Sequence, residues 1–100
     1  MEKFCKVSST FILFPGGTTT MQEATTLIQH NKYSQEEKLL TIILFGKEYW
    51  KGLTLQYEKL FEMELLSENP IGNLFFLANS KEDVMNVILK SYLKFIHGKN

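Results

Sequence analysis

Short apolar runs alternate along this chain with longer stretches in which apolar residues recur every three or four positions. Thr10-Phe11-Ile12-Leu13-Phe14 is a continuous apolar segment halted by Pro15-Gly16-Gly17, the pattern of a strand buried on both faces. From Thr18 to His30, Met21, Ala24, Thr25 and Ile28 fall on one side of a helix. The polar segment from Asn31 to Lys38 reads as a loop. Leu39 to Phe45 is a second buried strand, rich in branched side chains and closed by Gly46. A second helix is expected from Lys47 to Leu66, with Trp50, Leu53, Tyr57, Leu60, Phe61, Glu64 and Leu65 at helical spacing and Glu58, Lys59 and Glu62 toward solvent. Pro70 and Gly72 stop it. Asn73 to Ala78 is a third strand. Ser80 is placed to cap the last helix and Asp83 to sit at its third position, with Val84, Val87, Ile88, Ser91 and Phe95 as the inward stripe and Gly98 at the end.

Strand, helix, strand, helix, strand, helix at this spacing implies an α/β fold. Its core is a three-stranded parallel sheet with right-handed crossovers, half of a doubly wound arrangement with flanking helices. Strands buried on both faces require helices on both sides. The segment from Met1 to Ser9 is too short for two further strands. One apolar edge is therefore expected to meet another chain, or residues 1–100 form a single partial domain of a larger one.

Composition narrows the chemistry. The chain has 100 residues and 44% hydrophobic content, ordinary for one globular domain. Eleven basic residues balance eleven acidic ones, and every basic residue is a lysine scattered among glutamates. That is not the footprint of a nucleic-acid binder. Without arginine the chain has no rigid bidentate fork for phosphate or carboxylate. Cys5 is alone and reads as a small buried hydrophobe. His30 and His97 stand far apart near helix ends, as surface or capping residues, and no residue set has metal-site spacing, so neither metal nor cofactor is expected. No apolar run approaches the ~20 residues that cross a bilayer, and Met1 to Phe14 lacks the continuous apolar centre of a signal peptide. No membrane partner and a cytoplasmic location are expected.

One loop has candidate chemistry. Pro15-Gly16-Gly17-Thr18-Thr19-Thr20 joins the carboxyl end of a strand to the start of a helix, where open parallel sheets bind ligands and free amides attract phosphate. A purely structural turn with Thr18 or Thr19 as the helix cap accounts for the same residues. Glu23 lies about one turn further on. A carboxylate beside a sugar can stabilise an oxocarbenium-like transition state or activate water; on an exposed helix it is otherwise a favourable charge near the helix N-terminus.

The run from Ser9 to Gly17, followed by Thr20 and Glu23, resembles the PGGxGTxxE signature of the LOG (Lonely Guy) family, also called lysine decarboxylase-like. Leu27-Ile28-Gln29, the run from Ile42 to Trp50 and the helix after Ser80 are similar to bacterial members. The resemblance spans the whole chain but only the carboxyl-terminal half of the family's domain. It implies a Rossmann-like, commonly dimeric fold that hydrolyses the N-glycosidic bond of nucleoside 5′-monophosphates, including AMP and cytokinin riboside monophosphates, to base and ribose 5-phosphate. Gly16, Gly17, Thr18, Thr19 and Thr20 would cradle the 5′-phosphate, and Glu23 would be the catalytic carboxylate.

This chain departs from the family at three points. Thr19 stands where the family has glycine, and a β-branched residue resists φ > 0. The stretch from Pro15 to Gln29 is shortened: counting from Pro15 puts Glu23 on the motif glutamate, whereas counting back from Gln29 puts it on a second glutamate one turn later. The family's Arg-Lys pair is not found. The polypeptide alone is therefore expected to be an inactive nucleotide-binding or self-association remnant. Activity would need a partner that restores the missing half with its arginine; the expected partners are such a chain or, for association alone, further copies of this one.

Overall fold

The computed structural model describes residues 4–7, 10–33 and 40–98, with side chains described for 10–33 and 40–93. The expected parallel sheet is present: β2 (Thr10–Leu13), β3 (Thr41–Phe45) and β4 (Phe76–Ala78) pair in register, with Ile12 opposite Ile43 and Leu44 opposite Leu77. The helices are α1 (Thr18–Tyr33), α2 (Lys47–Glu62) and α3 (Lys81–Gly98). A further strand, β1 (Phe4–Val7), pairs antiparallel to β2, giving the order β1-β2-β3-β4. The parallel sheet is thus extended on the β2 side, and the edges of the sheet are β1 and β4. The outer backbone groups of β2 meet this chain's own first strand, because a single antiparallel neighbour needs no crossover helix and nine residues suffice.

Alternation along the central strand divides the core in two. Ile42 and Leu44 face one side with Leu13, packing against Ala24 and Ile28 of α1 and Trp50 of α2. Ile43 faces the other side, where Ala78 and Val87 bury it beneath α3. All three strand residues are fully buried, which is why β3 reads as an unbroken apolar run. Each such aliphatic side chain contributes about 1.5–3 kcal/mol on leaving water. Among the described residues no helix is long and apolar enough to cross a membrane.

Several boundaries differ from the sequence reading: β2 ends at Leu13, β3 begins at Thr41, α1 runs on to Tyr33, and β4 begins only at Phe76, after a turn at 72–74. Helix α2 ends at Glu62, before Leu66. Glu64 takes a left-handed conformation, φ 63°, so that its N–H donates to the Phe61 carbonyl and the Leu65 N–H to the Leu60 carbonyl. That pair of bonds closes a helix in the Schellman manner, usually with glycine at the left-handed position. Leu65 and, contrary to expectation, Phe61 are consequently exposed, while Leu66 is buried. Thr54 takes the buried place on α2. On α3, Val84, Val87 and Ile88 face the sheet as expected, and Thr41 donates a hydrogen bond to Ser91. The side chains of Cys5, Phe95 and His97, and residue Leu39, lie outside the described residues.

Asn31, expected in a loop, belongs to α1 and is 4% exposed. Its amide donates to the carbonyls of Leu40 (2.7 Å) and Leu74 (3.1 Å), and its oxygen accepts from the Leu40 N–H (2.7 Å). One side chain thus joins the end of α1 to the residues leading into β3 and β4. Asn31→Ala would leave these backbone groups without their partner in a dry environment. With each orphaned group costing about 1–3 kcal/mol, a loss of roughly 2–4 kcal/mol is expected in urea unfolding. A loss below 0.5 kcal/mol would show that water replaces the amide.

Candidate functional site

The carboxyl ends of the three parallel strands lie on one edge of the sheet, and a helix starts from each. After β2 the chain passes through residues 14–17 into α1. After β3 only Gly46 intervenes before α2, and after β4 Asn79 and Ser80 precede α3. Gly46 has φ 97°, a conformation few other residues adopt. A Cβ built there would lie 3.3 Å from Cγ of Pro15, so the absence of a side chain also lets the proline ring sit against this turn. The Gly46 N–H donates to the Ala78 carbonyl at 2.8 Å, and its carbonyl accepts from the Trp50 N–H.

These contacts lock the three turns together. Tyr49, in the first turn of α2, donates its hydroxyl hydrogen bond to the carbonyl of Gly16. Its ring meets Trp50 edge-on with centroids 4.9 Å apart, and Trp50, fully buried, donates from Nε1 to the Phe45 carbonyl. From the third turn, Asn79 accepts at Oδ1 from the Lys47 N–H (2.8 Å), and its own N–H donates to Asp83 Oδ2 (2.8 Å). Ser80 Oγ accepts from the Asp83 N–H (3.2 Å), the expected cap. Sequence reasoning left Tyr49 and Asn79 without roles. An aromatic or an amide near a helix start carries no signal of the turn it will reach across the sheet.

Helix α1 begins at Thr18, and the first intrahelical bond runs from the Met21 N–H to the Gly17 carbonyl. The cap is therefore Gly17, not Thr18 or Thr19. The amides of Thr18, Thr19 and Thr20 precede that first bond and point out of the helix end. Thr19 has no left-handed backbone, since Glu64 is the one non-glycine residue with positive φ among those described. A threonine at this position is thus free of left-handed backbone strain. A Cβ added at Gly17 would meet nothing within 4 Å, so its backbone borders open space. Thr18 and Thr19 are exposed, whereas Thr20 is buried under the helix.

Glu23 is half-buried, one turn above Thr19 and Thr20. Its Cα–Cβ bond, like that of any helical residue, tilts toward the helix N-terminus. It lies on the flank opposite Thr25, and Thr25 borders α2 across a shared groove with Tyr57. Glu23 therefore faces the β1 side of the sheet. Gly16 to Thr20 and Glu23 share one end of α1, on an open edge. Two grooves lie elsewhere: one of about 650 Å³ between α1 and Tyr57, and one of about 750 Å³ along α2 near Gly52 and Lys59. Neither includes a residue of the Gly16–Thr20 turn or Glu23.

The family described as “possible lysine decarboxylase” matches residues 1–88 of this chain. No curated protein and no solved structure matches it.

The Asp83 clamp makes the edge sensitive to acid. Its hydrogen bond from the Asn79 N–H, helped by the charge of Lys47 and by Ser80, holds the carboxyl below its ordinary value of 3.8. A lowered native value stabilises the fold above the unfolded-state value and loses that contribution as pH falls through the native one. Thermal melts of the wild type should therefore fall more steeply below about pH 4 than those of Asp83→Asn. Parallel acid limbs for the two proteins would rule the clamp out.

Proposed function

Because the chain belongs to the possible lysine decarboxylase, or LOG, family, we propose that the turn from Gly16 to Thr20 binds the phosphate of a nucleoside 5′-monophosphate or of ribose 5-phosphate, with Glu23 on the ribose side. The observation that carries this reading is the open backbone at Gly17 beside the outward amides of Thr18, Thr19 and Thr20. Nothing inside the fold fills the space a side chain would take there, so an anion can approach to hydrogen-bonding distance of several N–H groups on the positive end of the helix dipole. Tyr49 supports the same geometry. In a trans peptide the carbonyl and the following N–H point to opposite sides. Anchoring the Gly16 carbonyl on Tyr49 therefore directs the Gly17 N–H away from α2.

The reaction of such a site is hydrolysis of the N-glycosidic bond. Water attacks C1′ as the bond to the base nitrogen breaks, the electron pair leaves with the base, and a proton from the water neutralises the departing nitrogen. A carboxylate near the ribose stabilises the positive charge that develops on the sugar and orients the water. We assign that role to Glu23. The 100 residues contain no arginine to grip the leaving side or the phosphate in bidentate fashion. The chain by itself thus binds nucleotide without turning it over. Turnover needs an arginine that these 100 residues do not supply, in an assembly that we place in the cytoplasm.

Millimolar ribose 5-phosphate should raise Tm. At tenfold excess over Kd, binding adds about 1.4 kcal/mol, roughly 5–10 °C for a domain this size. Tyr49→Phe should reduce that shift while leaving the unliganded Tm within a few degrees. AMP incubated with the purified chain should release no adenine. An absent shift would remove the phosphate site, and adenine release abolished by Glu23→Ala would overturn the assignment of a silent binder.

A further inference from the structure

Helix α2 begins without a cap of its own. Gly46, the residue before it, has no side chain to receive the free amides of the first turn, and the first intrahelical bond runs from the Trp50 N–H to the Gly46 carbonyl. The N–H groups of Lys47, Glu48 and Tyr49 therefore have no partner within the helix. One of them is served from the third turn. Asn79 Oδ1 accepts from the Lys47 N–H at 2.8 Å, beside the bond that the Ala78 carbonyl receives from the Gly46 N–H. Asn79 is itself held by the cap of α3, since its N–H donates to Asp83 Oδ2 and Ser80 Oγ accepts from the Asp83 N–H. The start of α2 is thus capped by a side chain 32 positions further along the chain.

We propose that Asn79 is a positioning residue for the phosphate turn and acts on it through Tyr49; this rests on the phosphate reading of Gly16 to Thr20. Helix ends are where fraying begins, and Tyr49 lies in the first turn of α2, two residues beyond the amide that Asn79 holds. Its hydroxyl reaches across to the Gly16 carbonyl. That bond fixes the plane of the peptide between Gly16 and Gly17, and with it the direction of the Gly17 N–H. A Cβ added at Gly17 would touch nothing within 4 Å, so packing on that side does not hold the peptide in place of the hydrogen bond. A first turn released from Asn79 lets the Tyr49 ring shift, and the peptide plane loses its anchor. Asn79, Lys47 and Tyr49 are all exposed, whereas Trp50 buries the helix in the core. The contribution of Asn79 therefore falls on the orientation of the turn more than on the existence of α2. A residue that only capped the helix would change Tm and leave affinity well below Tm untouched.

Ribose 5-phosphate titrated into the full chain well below Tm measures the effect. Asn79→Ala should raise Kd roughly three- to tenfold, the share that one hydrogen bond contributes, with circular dichroism unchanged. In the Tyr49→Phe background the same substitution should change Kd by less than about twofold, because the path it acts through is already cut. Without ligand, the Gly17 amide resonance in proton–nitrogen correlation spectra should move in Asn79→Ala, and that movement should vanish in the Tyr49→Phe background. Asn79→Leu, which keeps the shape of the side chain and removes its acceptor, takes the place of the alanine variant should that one fold poorly. Additive effects of Asn79→Ala and Tyr49→Phe on Kd overturn the proposal while phosphate binding stands. So does an affinity that both Asn79 variants leave within about twofold of the wild type. Absence of binding by the wild type overturns the phosphate reading, and the proposal with it.

Discussion

The carboxyl edge of this sheet depends on one residue without a side chain. Gly46 turns the chain from β3 into α2 with a single left-handed step. In that conformation its N–H reaches the Ala78 carbonyl and its own carbonyl receives the Trp50 N–H. The same absence of Cβ admits the ring of Pro15. Three strand ends are thereby held at one level, and α2 starts where Tyr49 can reach Gly16 and where the Lys47 N–H can reach Asn79. A larger residue at position 46 would face strain in the backbone and collision with the proline together. The phosphate-binding geometry proposed for the first turn thus rests on a glycine in the second.

The sheet as a whole is asymmetric, and the asymmetry bears on the site. Helices α1 and α2 cover one face, while α3 packs on the other over β3 and β4, with Ile12 of β2 joining its cluster. Glu23 inclines toward the β1 side, where an antiparallel strand closes β2 instead of a further parallel strand with its own turn. A parallel neighbour would bring a third group of loop residues beside Glu23, whereas β1 runs the opposite way.

Much of the fold was legible because strand and helix periods differ so clearly. The runs ending at Phe14, Phe45 and Ala78 became the three parallel strands, and Ser80 with Asp83 gave the start of α3 its local chemistry. The misreadings have specific causes. Asn31 is polar and follows a histidine, so it read as loop. Its burial is tolerated because three backbone groups from distant positions satisfy its amide. The end of α2 was placed too late because Glu64 adopts a conformation normally left to glycine. Strand β1 was missed because its pairing, not its pattern, makes it a strand. Within the site, Gly16 to Thr20 and Glu23 were legible as one group because they are neighbours along the chain. Tyr49 and Asn79 were not, because each acts on a turn it meets only after the sheet has formed.

By itself the sequence determined the alternation of strands and helices, their parallel sense and the grouping of the glycine-threonine turn with Glu23. All of these follow from spacing within a few residues, from right-handed crossovers, or from a motif contiguous in the chain. Only the tertiary structure decided that Gly17 is the cap, that Thr19 is free of left-handed backbone strain, that β1 extends the sheet and that Asn79 reaches the Lys47 N–H. Each of those depends on which distant groups a residue meets. That is set by the packing of whole elements, which no local pattern encodes.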